Sequence, residues 1–172
     1  MYDLEKFNTE GAAVLRSRLL TLTAAASWAD ALIARRPYAD LDLILATSDE
    51  LVLRLDEQQV DAALAGHPRI GEKESAGLVA ESAARSAREQ AGMSQAAVSV
   101  QEGMARGNAA YEERFGRIYL VAAAGRRAEH LLELLHARLG NDPDAELDVV
   151  RGELARITRL RLTDVLATPS GR

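Results

Sequence analysis

The stretch ELDVVRGELARITRLRL, residues 146–162, predicts a long amphipathic helix with one charge on its apolar face. Four apolar residues recur at steps of three, four and three positions: Leu147, Val150, Leu154 and Ile157. This spacing places them on one helix face, as expected for a stripe that packs against a core. Arg161 falls four residues further along that face, whereas Arg159 lies nearly opposite Ile157. A guanidinium facing a core is costly unless an anion meets it, so we expect Arg161 to meet a protein carboxylate or an anionic ligand.

The apolar spacing is helical over most of the remaining chain. We expect helices at about residues 10–26, 28–36, 41–55, 57–64, 75–91, 94–113, 126–139 and 143–166. Asp56 and Asp142 precede two of these helices as N-cap residues, and Pro143 follows at the first helical position. Arg36-Pro37 closes the second helix, and Gly66 is suited to the C′ position of the fourth. We therefore predict an all-α fold, a single-domain helical bundle.

One segment departs from this pattern. FGRIYLVAAAG, residues 115–125, is apolar, partly β-branched and bounded by glycines. These features are typical of a short strand or a buried extended segment, so we expect residues 117–123 to be non-helical. No linker divides the 172 residues, and we expect one domain over 1–172 with a frayed tail from about residue 167.

The composition excludes several functional classes. The formal net charge is −5, the chain has no cysteine, and aromatic residues make up 4%. A nucleic-acid surface is therefore not expected, and neither is a cysteine-based metal site. His130 and His136 are six residues apart, which does not suit shared metal ligation on a helix, and we expect no metal. With no secretory signal and no apolar run of roughly 20 residues, we expect a cytoplasmic protein that does not enter a membrane.

The turn AGHPRIGEK, residues 65–73, contains a histidine that a helix-to-helix loop does not need. His67 is either a loop residue that interacts favourably with a helix C-terminus or a catalytic acid–base group. The stretch SAREQ, residues 86–90, is equally ambiguous. Ser86 and Glu89 fit a capping box, but Gln90 is not needed for capping and lies on the same helix face.

These elements together resemble one family, the 2-oxo-4-hydroxy-4-carboxy-5-ureidoimidazoline (OHCU) decarboxylases. The resemblance extends from about Trp28 to Leu162. It rests on HPRIG (67–71), SxxEQ (86–90), NxxYxxRFG (108–116), the apolar segment after it, RLGND with a following glutamate (138–146), and ITRLRL (157–162). HPRIG and SxxEQ are specific as a pair and weak singly.

The resemblance implies an all-helical homodimer without a cofactor that converts OHCU to (S)-allantoin in urate catabolism. It places the catalytic residues at His67, Glu89 and Arg161. It also implies that substrate is bound by Pro68, Ser86, Gln90 and the segment Tyr119, Leu120, Val121, Ala122 and Ala123, whose backbone groups pair with the ring and ureido amides. The chain departs from the common family pattern at Arg117 and Tyr119, where other aromatic residues are usual, and we expect altered packing there.

The chemistry of this reaction suits these residue types. Loss of CO2 leaves an enolate-like carbanion that the neighbouring C=N or carbonyl of the ring can delocalise, so the reaction does not require a metal or pyridoxal. His67 can handle the substrate hydroxyl proton, and Arg161 can bind an anion bidentately. Two other functions stay open at this point: a non-catalytic helical interaction module, and a decarboxylase of a different ureido heterocycle.

Overall fold

The computed structural model describes residues 3–71 and 96–167. Within these ranges the chain forms helices and no strand, which confirms the all-α prediction. The eight helices are α1 (Leu4–Thr9), α2 (Ala12–Leu20), α3 (Ala26–Ala34), α4 (Leu41–Leu53), α5 (Glu57–Leu64), α6 (Val98–Phe115), α7 (Ala128–Arg138) and α8 (Pro143–Ala167). The helix expected at 75–91 and the frayed tail lie outside the described residues.

The N-terminal region differs from the prediction of one helix over 10–26. The helix α2 ends at Leu20, and Thr21 closes it because its backbone N–H and its side-chain Oγ1 both bond to the carbonyl of Arg18. Threonine hydroxyls offer this alternative to helix continuation. The sequence pattern also missed α1, which Asp3 caps and which buries Phe7 completely.

The predicted helix caps are largely confirmed. Asp56 and Gln59 form a reciprocal capping box at the start of α5. Asp142 accepts a hydrogen bond from the N–H of Asp144 at 3.0 Å, as an N-cap residue should. Gly66 follows the C-cap residue Ala65 and so stands at the predicted C′ position of α5, although its backbone is not left-handed.

Two clusters of buried side chains form the core. In the first, α8 packs along α4, and α1, α2, α3 and α5 complete the layer around them. The second cluster lies between α6 and α7. The apolar stripe predicted for 146–162 is confirmed, since Val150, Leu154 and Ile157 are all buried in the first cluster.

The two clusters meet at residues 117–123, which are non-helical as predicted. Among the described helices, none is long and apolar enough to cross a membrane.

Candidate active site

Residues 118–123 form an extended segment between the two clusters. The side chains of Leu120 and Ala122 lie in the first cluster, whereas those of Tyr119, Val121 and Ala123 lie in the second. Successive side chains that point to opposite faces are typical of extended backbone. Side chains of a helix do not alternate between two opposite faces in this way. The contribution of this segment to both clusters therefore explains why the sequence departs from the helical pattern here.

Charged side chains of α7 and α8 bind the backbone of this segment. Nη1 of Arg138 donates to the carbonyl of Leu120 at 2.7 Å, and Oε2 of Glu153 accepts from the N–H of Ala122 at 2.8 Å. Both side chains are buried. These bonds satisfy backbone groups that no sheet partner satisfies, because the segment has no neighbouring strand in the described structure.

A buried polar network holds Arg138 in place. Its Nε and Nη2 donate to Oε1 of Glu146 at 2.8 and 2.6 Å, and the hydroxyl of Tyr111 donates to the same oxygen. Burial and the bond to Glu146 raise the pKa of Tyr111 well above its usual value. The guanidinium carbon of Arg138 lies 4.7 Å from the ring centroid of Tyr119. Burial raises the pKa of the Tyr119 hydroxyl to about 12, so it stays neutral, and it donates to the carbonyl of Leu131.

The two residues at which the chain departs from the common family pattern both have polar partners. The extra hydroxyl of Tyr119 is satisfied by Leu131, as described above. Arg117, which is largely buried, forms ion pairs with Glu57 at 2.5 Å and with Asp61 at 3.0 Å. This pairing connects the start of the extended segment to α5, the helix that precedes His67.

His67 follows the last turn of α5. Its Nδ1 lies 3.0 Å from the carbonyl oxygen of Ala63, and its Nε2 lies 3.1 Å from Nη1 of Arg161. A carbonyl can only accept and a guanidinium can only donate, so these partners assign the proton to Nδ1 and the lone pair to Nε2. Nδ1 of His67 therefore bonds the helix terminus, whereas Nε2 accepts from Arg161.

Arg161 faces inward on α8, as its position on the apolar stripe predicts. It is 7% exposed and donates through Nη1 to the carbonyl of Leu22 at 2.8 Å as well as to His67. Arg159, in contrast, lies at the surface and pairs with Asp49 at 2.7 Å. The helical spacing thus separated the inward arginine from its exposed neighbour.

These elements enclose one cavity. It is lined by His67 and Pro68 from the turn after α5, by residues 119–124, and by Ile157, Leu160 and Arg161 from α8, with Ile70 beside them. The structure therefore brings together eight of the residues predicted for the site. The other three, Ser86, Glu89 and Gln90, lie outside the described residues.

Several residues that shape this cavity were not predicted from the sequence. Ile70, Leu160 and Ala124 also line it, and Glu153 and Arg138 bind its backbone wall. A signal existed for Glu153, since it lies four residues before Ile157 and so close to the apolar stripe.

Over residues 3–71 and 96–167, no three histidine or carboxylate side chains are grouped as metal ligands would be. His130 and His136 are both exposed on α7.

Comparison with known proteins relates this arrangement to one family. The family model for OHCU decarboxylase matches residues 8–163. The chain belongs to the OHCU decarboxylase family. A relative from Amia calva, 2-oxo-4-hydroxy-4-carboxy-5-ureidoimidazoline decarboxylase, is 30% identical over 151 residues, which cover 87% of this chain and 82% of the relative. The resemblance on which the sequence analysis relied is thereby confirmed.

The chain is also similar to a longer protein and to a solved structure. The chain is 31% identical over 106 residues to the uric acid degradation bifunctional protein TTL of Arabidopsis thaliana, a match that covers 61% of this chain but 33% of that protein. A crystal structure of OHCU decarboxylase in the presence of (S)-allantoin superimposes with a TM-score of 0.73 at 20% identity, over 88% of this chain and 98% of the other. This last similarity establishes a shared fold for the OHCU decarboxylase family member described here.

Proposed function

We propose that the chain decarboxylates OHCU to (S)-allantoin in the degradation of urate. The observation that carries the proposal is the contact between His67 and Arg161, 3.1 Å apart, in a cavity whose opposite wall is extended backbone. Family membership names the substrate, which has a carboxylate, a hydroxyl and ring and ureido amides. The cavity offers a cation, a basic nitrogen and backbone groups to match them.

Arg161 is the proposed site of the substrate carboxylate. Its Nη1 donates to the Leu22 carbonyl and to Nε2 of His67, which are both neutral acceptors. A carboxylate is a stronger acceptor than either, because it carries a full opposite charge and can accept two parallel N–H bonds from the guanidinium. We expect the guanidinium to turn toward the carboxylate, which releases the lone pair on Nε2 of His67.

His67 then accepts a proton through Nε2. As the bond between the ring carbon and the carboxylate breaks and CO2 leaves, its electron pair forms a double bond to the adjacent ring carbon, and the electrons of the C=N bond move onto nitrogen, which takes up a proton. The hydroxyl of the resulting enol then gives its proton to Nε2 and becomes the carbonyl, while the adjacent ring carbon is protonated, so allantoin forms with net uptake of one proton. The bond from Nδ1 to Ala63 fixes the tautomer throughout and holds the ring in place.

The remaining site residues have binding roles in this proposal. Pro68 lines the cavity beside His67, and the segment 119–123 offers backbone groups to the ring and ureido amides. Ser86, Glu89 and Gln90 are assigned to the site by the resemblance to the family, with Glu89 as the partner of His67 or of the ureido nitrogens. Delocalisation of the charge into the substrate ring supplies the electron sink, so the proposal includes no cofactor.

We also infer a homodimer located in the cytoplasm. The homodimer is supported by the family resemblance. Sedimentation analysis of the purified chain tests the dimer, and fluorescence microscopy of a tagged chain tests the location.

The activity assay uses OHCU generated in place from urate, with allantoin formation followed by circular dichroism. The wild type should accelerate the loss of OHCU and give one enantiomer of allantoin. His67→Ala should lose on the order of 10²-fold or more of that rate, as is typical when a proton-transfer group is removed.

The two other candidate functions predict different results in this assay. A folded wild type without any effect on OHCU would favour a non-catalytic interaction module. Faster turnover of another carboxylated ureido heterocycle in a substrate panel would favour a related decarboxylase. Either outcome would replace the proposed function.

A further inference from the structure

Two buried charges bind the same edge of the extended segment. In extended backbone, the N–H and C=O groups of residues two apart point to the same edge, and those of the residue between point to the opposite edge. The bonds from Arg138 to the Leu120 carbonyl and from the Ala122 N–H to Glu153 therefore occupy one edge. This arrangement determines which backbone groups the segment presents on its other side.

The opposite edge carries the backbone groups of Tyr119, Val121 and Ala123. The Ala123 carbonyl accepts from the N–H of Arg126 at 3.0 Å in a tight turn. For Val121, neither the N–H nor the carbonyl bonds to any residue in the described part of the chain, although the residue is 6% exposed and lines the cavity. Buried backbone groups are nearly always paired, so a ligand in the cavity would supply hydrogen-bond partners for the N–H and carbonyl of Val121.

Glu153 is well placed to control this edge. Its carboxylate is 7% exposed and lies on α8, two helical turns before Arg161. Oε1 accepts from Nη1 of Arg156 at 2.6 Å, and Oε2 lies 3.7 Å from Nη1 of Arg126, so its charge is balanced. One rigid helix therefore carries both the proposed carboxylate-binding arginine and the group that binds the facing backbone wall.

We propose that Glu153 is a positioning residue for the decarboxylation: by accepting the N–H of Ala122 it directs the backbone of Val121 toward the substrate amides. The inference rests on the proposed function. It assigns to Glu153 an effect on substrate binding that acts through the backbone and needs no contact with the substrate.

Two substitutions separate the effect of the length of the Glu153 side chain from the effect of its charge. Glu153→Asp keeps the charge but is one methylene shorter, so it loses the bond to the Ala122 N–H. Glu153→Gln loses the charge but keeps an acceptor oxygen at the same reach. Ser48→Ala is the control, because it removes the partner of the Trp28 indole N–H, 3.1 Å away in the first cluster, without touching the cavity.

The readouts are KM and kcat for OHCU together with the melting temperature. Glu153→Asp should raise KM by about tenfold, the effect of roughly one lost hydrogen bond, with a smaller change in kcat. Glu153→Gln and Ser48→Ala should lower the melting temperature and keep KM within about threefold of wild type. An unchanged KM in Glu153→Asp, or an increase in Glu153→Gln as large as that in Glu153→Asp, would overturn the proposal.

Amide hydrogen exchange distinguishes failure of this inference from failure of the proposed function. The Ala122 amide should exchange faster in Glu153→Asp than in wild type, and at the wild-type rate in Glu153→Gln. Equal exchange in all three proteins would overturn the positioning role whether or not the wild type is active. An inactive wild type with the expected exchange pattern would refute the decarboxylase proposal and support the bond between Glu153 and the backbone.

Discussion

Replacing Gly107 with alanine should destabilise the protein, although alanine is the better helix former. Gly107 lies on α6 where this helix packs against α7. A Cβ at this position would overlap Cδ2 of Leu135 and lie 3.0 Å from its Cγ. Leu135 is completely buried in the second cluster and has little room to adopt another rotamer.

The size of the effect follows from two opposing terms. Alanine gains about 1 kcal/mol over glycine in helix propensity, whereas forcing an extra methyl group into a packed core costs about 1–3 kcal/mol. Two short contacts with a fully buried side chain favour the upper part of that range. We therefore expect a net loss of about 1–2 kcal/mol, or a melting temperature lower by roughly 2–8 °C for a chain of this length.

Two other glycines provide matched controls. At Gly103, the nearest atom to a new Cβ is Cδ2 of Leu132 at 2.9 Å, but Leu132 is only partly buried and can rotate away, so the change should be small. A Cβ added at Gly152 on α8 would have no atom beyond its own helical turn within 4 Å, so alanine there should raise the melting temperature by roughly 2–4 °C. Thermal melts of the three variants test this order. A Gly107→Ala protein as stable as Gly152→Ala would refute the packing of α6 against α7 described above.

Two further predictions concern carboxylates. The ion pair with Arg69 lowers the pKa of Glu112 below its usual value of 4.5. The stabilisation by the ionised carboxylate is therefore complete above pH 4.5 and is lost as the pH falls through the lowered pKa. Urea unfolding should show that Glu112→Gln is less stable than wild type near neutral pH and equally stable in strong acid. Glu89→Gln should leave the melting temperature nearly unchanged but abolish turnover, because glutamine also serves in a capping box but carries no charge to support His67; full activity with a lowered melting temperature would instead assign Glu89 a capping role.

The parts of the site that could be predicted are those where a residue conflicts with its local pattern. Arg161 falls on an otherwise apolar stripe, and residues 117–123 interrupt a helical sequence with a β-branched run. Both conflicts are visible within a few residues of the chain. Such local conflicts are expected at functional sites, where sequence patterns and packing demands differ.

The parts that could not be predicted depend on contacts between residues far apart in the sequence or on the hydrogen bonds that end a helix. Glu153 reaches the N–H of Ala122 across 31 positions, and no local pattern reports that contact. The end of α2 at Leu20 depends on hydrogen bonds of Thr21 within an apolar run that otherwise continues the helical period. That boundary affects the site, because it exposes the carbonyl of Leu22 to Arg161.

The most direct test of the account compares Arg161→Ala with Arg159→Ala in the decarboxylation assay. These arginines are two residues apart on one helix, but Arg161 faces the cavity and Arg159 pairs with Asp49 at the surface. Circular dichroism should show that Arg161→Ala, while folded, forms (S)-allantoin on the order of 10²-fold more slowly than wild type, the typical effect of losing a group that stabilises developing charge. Arg159→Ala should stay close to the wild-type rate. Equal rates for the two variants would contradict the assignment of the cavity as the site of decarboxylation.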